Sequence, residues 1–138
     1  MLSFDLHVLT ARLDRSADRI LRGEFGVSYR RYRALLSVGR VSVDEQGTST
    51  QRAMAEDLGI SEPSASRMTN TLVETGLLDI HQDGHRRRLR LTPAGKDLVA
   101  RCQDLLEERF ERVVERSGVS YADYARDTHR LLAALSEA

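Results

Sequence analysis

The sequence predicts a mainly α-helical chain with one small antiparallel β-hairpin. Three observations carry that reading. Apolar residues recur every three or four positions through most of the 138 residues. Ser, Thr and Gly punctuate the chain where helices should begin and end. One stretch, 77–92, instead runs as two short segments around Asp83-Gly84, the pattern of a hairpin.

In chain order, residues 3–22 form the first predicted helix. Leu2, Leu6, Leu9, Leu13 and Ile20 lie on one stripe, with Ala17 completing it. Arg12, Asp14, Arg15, Asp18 and Arg19 occupy the other sides, and Gly23 and Gly26 end the helix. Ser28 caps a second helix from Tyr29 to about Val38, with Tyr32, Leu35 and Leu36 as core candidates. Residues 39–49 are polar and read as a connection with an added turn at its start, and Gly47-Thr48-Ser49 supplies a third short strand. The last two helices run from Pro93 to about Ser117 and from Tyr121 to about Leu135. The first of these is apolar at Leu98, Cys102, Leu105, Leu106, Phe110 and Val113, with a favourable Glu108–Arg112 pair on its solvated side. The second carries Tyr124, Thr128, Leu131, Leu132 and Leu135 on one face. Ser120 and Asp123 make a capping box at its start, with Asp in place of the usual Glu.

The stretch 50–95 organises the rest. Thr50 caps a helix over 51–58 that holds Met54, Ala55 and Leu58 inward. Gly59 ends it in the left-handed conformation, and Ser61 caps the next helix, about Glu62 to Thr75. That helix turns Ala65, Met68, Leu72 and Val73 to the core and Ser64, Ser66, Arg67, Asn70 and Thr71 outward. Gly76 stops it. Leu77–Gln82 and Arg88–Thr92 pair as strands, and Thr92-Pro93 opens the long helix. Helix, tight turn, helix, basic hairpin: this is a winged helix-turn-helix pattern, whose chemistry is the reading of double-stranded DNA.

The candidate DNA contacts follow from that pattern. Ser64, Ser66, Arg67 and Asn70 sit on the exposed amino-terminal half of the second helix, which is the part that meets base edges. Arg67 suits guanine and Asn70 adenine, each through paired hydrogen bonds. In the hairpin, alternation turns Leu89 and Leu91 inward and Arg88 and Arg90 outward, with Arg86 and Arg87 near the tip. Acids work against this: Glu56, Asp57, Glu62 and Glu74 outnumber Arg52 and Arg67 over 51–75. The whole chain carries 21 basic and 21 acidic side chains, for a net charge of +0. Phosphate attraction is local, because charges beyond about 8–10 Å are screened at physiological salt. A neutral chain with a basic wing therefore still suits DNA.

Thr50 to Ser61, Ser66-Arg67-Met68 through Leu72-Val73 to Gly76-Leu77-Leu78, and Leu91-Thr92-Pro93-Ala94-Gly95 resemble the MarR family of bacterial transcription regulators. The likeness is strongest over 50–95 and general at the ends. It implies a single domain over 1–138, mainly α with a small antiparallel β wing. Segments 1–26 and 118–138 would be dimerisation helices, 28–95 the winged helix-turn-helix core and 93–117 a long connecting helix. It further implies a homodimeric repressor on a pseudo-palindromic operator, released by a small amphipathic or aromatic ligand. Arg12, Arg19, Tyr29 and Tyr32 would line the ligand crevice. In the family an aspartate at the wing turn holds an arginine two residues on, which enters the minor groove. Asp83 matches the aspartate, but the second position is His85, so Arg86 or Arg87 takes that role or the contact is weakened. His85, Arg86 and Arg87 by this resemblance, and Arg88 by its outward place in the basic hairpin, join the expected DNA-binding residues. The neutral charge, Glu62 and His85 favour one alternative: a winged-helix protein-interaction module that has lost DNA reading.

Other chemistries find little support. His81, Asp83 and His85 make a poor metal site, with no thiolate nearby in sequence. No metal or other cofactor is expected. Cys102 is the only cysteine, which excludes an intrachain disulfide, and it reads as a small buried thiol. No nucleophile–base spacing or phosphate loop suggests an enzyme. The amino-terminal stretch is soon interrupted by charge, unlike a signal peptide, and no apolar run approaches the ~20 residues of a membrane helix. The expected compartment is the cytoplasm.

Overall fold

The computed structural model describes residues 1–41 and 43–136. Ser42 of the expected connection and the last two residues of the expected 118–138 segment lie outside the described residues. Six helices and three strands follow one another: α1 (Leu2–Phe25), α2 (Tyr29–Val38), β1 (Ser49–Thr50), α3 (Gln51–Leu58), α4 (Glu62–Glu74), β2 (Leu78–Asp83), β3 (Arg86–Leu91), α5 (Pro93–Ser117) and α6 (Tyr121–Ser136). They form two compact units, Met1–Cys102 and Gln103–Ala138. The architecture is mainly α with a small antiparallel sheet, as the sequence predicts.

In the first unit, local capping sets the element boundaries. Ser28, Thr50 and Ser61 accept backbone N–H bonds from Arg31 (3.1 Å), Ala53 (3.1 Å) and Ser64 (3.2 Å), satisfying donors that each helix start leaves open. Gly59 takes φ +65° at the end of α3, and the next amide, Ile60 N–H, returns to Ala55 O at 3.0 Å. This turn fixes α4 against α3. The first helix departs from expectation. Gly23 lies inside α1, which continues to Phe25 and stops at Gly26 with φ +66°.

The core packs Leu35 and Val38 of α2, Met54 of α3, Ala65 and Leu72 of α4, Leu78 of β2 and Leu89 of β3. Full burial of each large aliphatic side chain there contributes about 1.5–3 kcal/mol. The sheet order is β1-β3-β2, antiparallel throughout. The third strand is Ser49–Thr50, pairing with Arg88 and Leu89; Gly47 belongs to the preceding turn. The hairpin is longer than expected. Its register pairs Asp83 with Arg86, leaving Gly84-His85 as a two-residue loop. Leu21 of α1 is fully buried although it lies off the expected stripe, because α1 packs on α2 with its carboxy-terminal half. The amino-terminal half leaves Leu2, Phe4, Leu6 and Leu9 exposed.

The second unit holds the rest of α5 and α6. Val114 is its buried valine, whereas Val113 is 43% exposed, which corrects the expected stripe by one position. Phe110 meets Tyr121 edge-on at 6.4 Å between centroids. Ser120 Oγ accepts from Asp123 N–H at 3.4 Å, and Glu108 pairs with Arg112 at 2.6 Å, both as expected. Among the described residues, no helix is long and apolar enough to cross a membrane.

The hairpin joins the helices at one tight point. Thr92 Oγ1 donates to Gly76 O (2.6 Å) and accepts from Gly95 N–H (3.0 Å), while Thr92 N–H donates to Leu77 O (3.1 Å). Gly95 is buried here, and a Cβ on it would lie 2.2 Å from Leu77 O. Helix propensity alone favours Ala over Gly by about 1 kcal/mol. Overpacking against backbone costs about 1–3 kcal/mol, and occasionally more, so the clash wins. Gly95→Ala should therefore lower the stability measured by urea unfolding; a stabilised variant would show that the approach is looser than described.

Candidate nucleic-acid interface

Recognition helix candidates on α4 start at its capped end. Ser61 Oγ donates to Ser64 Oγ (3.0 Å), and Arg67 Nη2 donates to the same hydroxyl (3.2 Å). Ser64 and Ser66 are half-buried, while Arg67 and Asn70 are exposed. These four share the outward face that the sequence predicts. Thr69, in contrast, is fully buried and donates to Gln51 Oε1 (2.9 Å) and Ser66 O (3.0 Å), so a polar side chain helps pack α4 on α3.

The hairpin arginines divide sharply. Arg86 is exposed beside the turn, as is His85. Arg87 turns back onto the helices: Nη1 donates to Gln51 Oε1 and Ser66 Oγ, both at 2.9 Å, and Nη2 donates to Asn70 Oδ1 at 2.8 Å. The signal for this was present, because strand alternation places Arg87 on the face of Leu89 and Leu91. The bonds leave the Asn70 amide N–H₂ unengaged by Arg87, ordering it as a donor toward whatever meets α4.

Arg88 is not a free outward cation. It is 24% exposed and pairs with Asp44 at 3.2 Å and with Asp83 at 3.4 Å. Asp83 thus holds an arginine, but five residues on rather than two. Asp44, part of the polar connection, is a hub. Its carboxylate accepts from Gln46 N–H (3.0 Å), Thr48 N–H (2.8 Å), the Thr48 hydroxyl and Arg88. The Thr48 hydroxyl first, then its amide, hold the Asp44 carboxyl below the usual aspartate range, with Arg88 adding a smaller pull. The connection is thereby fastened to the wing. Asp18 plays a similar part on α1. It accepts from Tyr29 N–H at 2.9 Å and Arg22 Nε at 2.8 Å, so its carboxyl is also lowered, chiefly by the Tyr29 amide.

Two surface crevices flank this region. One, about 480 Å³, lies between the end of α1, the start of α2 and α4. The other, about 270 Å³, is lined by Asp14, Tyr29, Arg30, Arg33, Leu58 and Ile60. Of the residues expected around a ligand, Tyr29 lines the second crevice; Tyr32 is buried in the core, and Arg12 and Arg19 are exposed outside the lining. His81 stands opposite Arg88 in the sheet, and among the described residues no group of three or more His, Cys, Asp or Glu is placed to hold a metal.

Burial pushes the Cys102 thiol up to about 11, against a lesser opposite pull from Arg101. It should resist alkylation by iodoacetamide at pH 8 in the folded protein and react on unfolding in urea; rapid native labelling would contradict its burial. The arginine geometry gives a second expectation. Arg87→Ala should cost about 1–2 kcal/mol through lost charged hydrogen bonds. Arg86→Ala should change stability by no more than about 0.5 kcal/mol. Equal urea midpoints for the two variants would contradict the bonding described here.

The IclR helix-turn-helix domain family matches residues 43–80. No curated protein sequence matches the chain. Solved structures do. Staphylococcus aureus MepR in its DNA complex is 20% identical, with 100% of this chain and 98% of that one covered and a TM-score of 0.76. A cysteine-to-serine mutant of MarR from E. coli is 16% identical, covering 98% and 96%, with a TM-score of 0.76. NadR in complex with 4-hydroxyphenylacetate is 21% identical, covering 98% and 92%, again with a TM-score of 0.76. Likeness at these identities establishes the fold: over its full length, this chain has the winged helix-turn-helix fold of the MarR-family regulators.

Proposed function

We propose that this protein is a sequence-specific, double-stranded DNA-binding transcription regulator, and not an enzyme. The observation that carries this reading is the outward face of α4, where Ser64, Ser66, Arg67 and Asn70 stand together beside a basic hairpin. Arg67 reaches a guanine in the major groove, the ordered Asn70 amide donates to a base edge, and Arg86 with His85 meets the flanking minor groove. A protein of the same fold, MepR, has been solved with DNA. Arg87 supports the reading from behind, by holding Ser66 and Asn70, and Arg88 by stiffening the wing.

The regulator acts as a homodimer, with segments 1–26 and 118–138 in the interface. Supporting this, α1 exposes Phe4, Leu6 and Leu9, and α6 exposes Leu131, Leu132 and Leu135. Two α4 helices then enter successive major grooves of a pseudo-palindromic operator. Repression is released by a small amphipathic or aromatic ligand. NadR, of the same fold, has been solved with such an acid. The crevice at Tyr29, Arg30 and Arg33 offers aromatic and cationic groups for one. Ligand binding would favour a dimer whose helix spacing no longer fits the ~34 Å repeat. This activity belongs in the cytoplasm.

The engagement of Arg87 and Arg88 within the chain favours a second reading, a protein-interaction module without DNA reading. Fluorescence anisotropy separates the two. DNA from upstream of the protein's own gene and a scrambled duplex are titrated, followed by genomic DNA selection if neither binds tightly. A regulator prefers its operator, and Arg67→Ala lowers that preference by about 1–3 kcal/mol. No binding to any DNA at low salt would leave the interaction module.

A further inference from the structure

We infer that the crevice between α1, α2 and α4 seats a backbone phosphate of the DNA that α4 reads, an inference that rests on the functional reading above. Its lining includes Arg22, Arg30, Arg31 and Arg67, with the hydroxyl residues Ser28 and Ser64, and no acidic side chain. Arg22 is largely neutralised by Asp18 at 2.8 Å, and Arg67 is steered by Ser64. Arg30 and Arg31 are exposed, and among the described residues neither makes an ion pair or a side-chain hydrogen bond. On a chain of net charge +0, two unpaired guanidinium groups at one crevice mark a place built for an anion.

The backbone does not compete for that role. The first amides of α2 are already taken, Tyr29 N–H by Asp18 and Arg31 N–H by Ser28. An anion here is held by side chains, and guanidinium groups suit phosphate oxygens through paired donors. Position identifies the anion. A helix with side chains is about 10–12 Å across and the major groove about 12 Å wide, so a helix lying in the groove has a phosphate ridge against its flank. The crevice is that flank, since Ser64, Arg67 and Thr71 of α4 form one of its walls. It also answers a shortage elsewhere, because Arg87 and Arg88 of the wing are engaged within the chain.

The test is the salt dependence of DNA binding, measured by anisotropy on the operator and on a scrambled duplex. Each phosphate contact contributes about 0.9 to the slope of log affinity against log salt. The double variant Arg30→Gln/Arg31→Gln should flatten the slope by about 0.9 per bound protomer, equally on both duplexes. Arg30→Lys/Arg31→Lys should restore most of it, and Arg109→Gln, a charge change on α5, should leave it at the wild-type value. Circular dichroism confirms that the variants are folded. A wild-type slope in the double variant overturns the inference. So does a variant that keeps the slope and loses only the sensitivity of DNA binding to added inorganic phosphate, because the crevice would then take a free oxyanion. If the wild-type protein binds no DNA, the functional reading falls first and this inference with it.

Discussion

The wing hangs from the contact between Gly95 and Leu77. Because residue 95 has no side chain, the first turn of α5 closes onto the backbone that leaves α4, and Thr92 ties the two with its hydroxyl and its amide. The end of α4, the start of β2, the end of β3 and the start of α5 therefore meet at one place. The angle between hairpin and α4 is set there, and the rest of the proposed reading surface depends on it. Only with the hairpin so placed does Arg87 reach Gln51, Ser66 and Asn70 at once. A hairpin tilted by a few ångströms would leave these acceptors to water and Asn70 without a fixed orientation.

Electrostatics is then a matter of allocation. The four arginines over 86–90 read as one basic patch in the sequence, but the fold spends them differently. Arg87 fastens the wing to α4, Arg88 fastens it to the connection through Asp44, and Arg86 and Arg90 remain exposed. The two engaged arginines are half-buried, where charged hydrogen bonds hold better than exposed ion pairs. Rigidity in the reading surface is gained at the expense of free positive charge. That trade explains how a chain with no net charge can build a stiff interface, and why cations elsewhere on the same face matter to the proposed contact with DNA.

What the sequence revealed and what it hid divide along one physical line. The helix boundaries at Ser28, Thr50, Gly59 and Ser61 were legible because capping is decided within four residues. The outward face of α4 was legible because helical periodicity is local too. Gly95 was recognised only as part of a motif; the carbonyl that demands a glycine comes from Leu77, 18 positions earlier. Asp44 looked like loop polarity, yet its partner Arg88 is brought in by the sheet. Asp18 looked like a solvated helix face until α2 turned back to present the Tyr29 amide. Arg87 differs for another reason. The second strand expected from the sequence begins at Arg88, which leaves Arg87 at the tip for a minor-groove role; the strand begins instead at Arg86, and alternation then turns Arg87 to the face of Leu89.

The terminal helices pose the last energetic question. No residue of α6 is buried, and its three leucines are 57–73% exposed. A 16-residue helix is close to the length at which isolated helices become marginal, so covering its apolar face is what would hold it firmly. On the proposed dimer, burying those leucines from both chains would supply at most roughly 9–18 kcal/mol. Association itself costs roughly 4–15 kcal/mol, a range that overlaps this gain. Leu2, Phe4, Leu6 and Leu9 of α1 hold a comparable apolar reserve. Burying the apolar side of α1 as well would widen the margin of the proposed dimer.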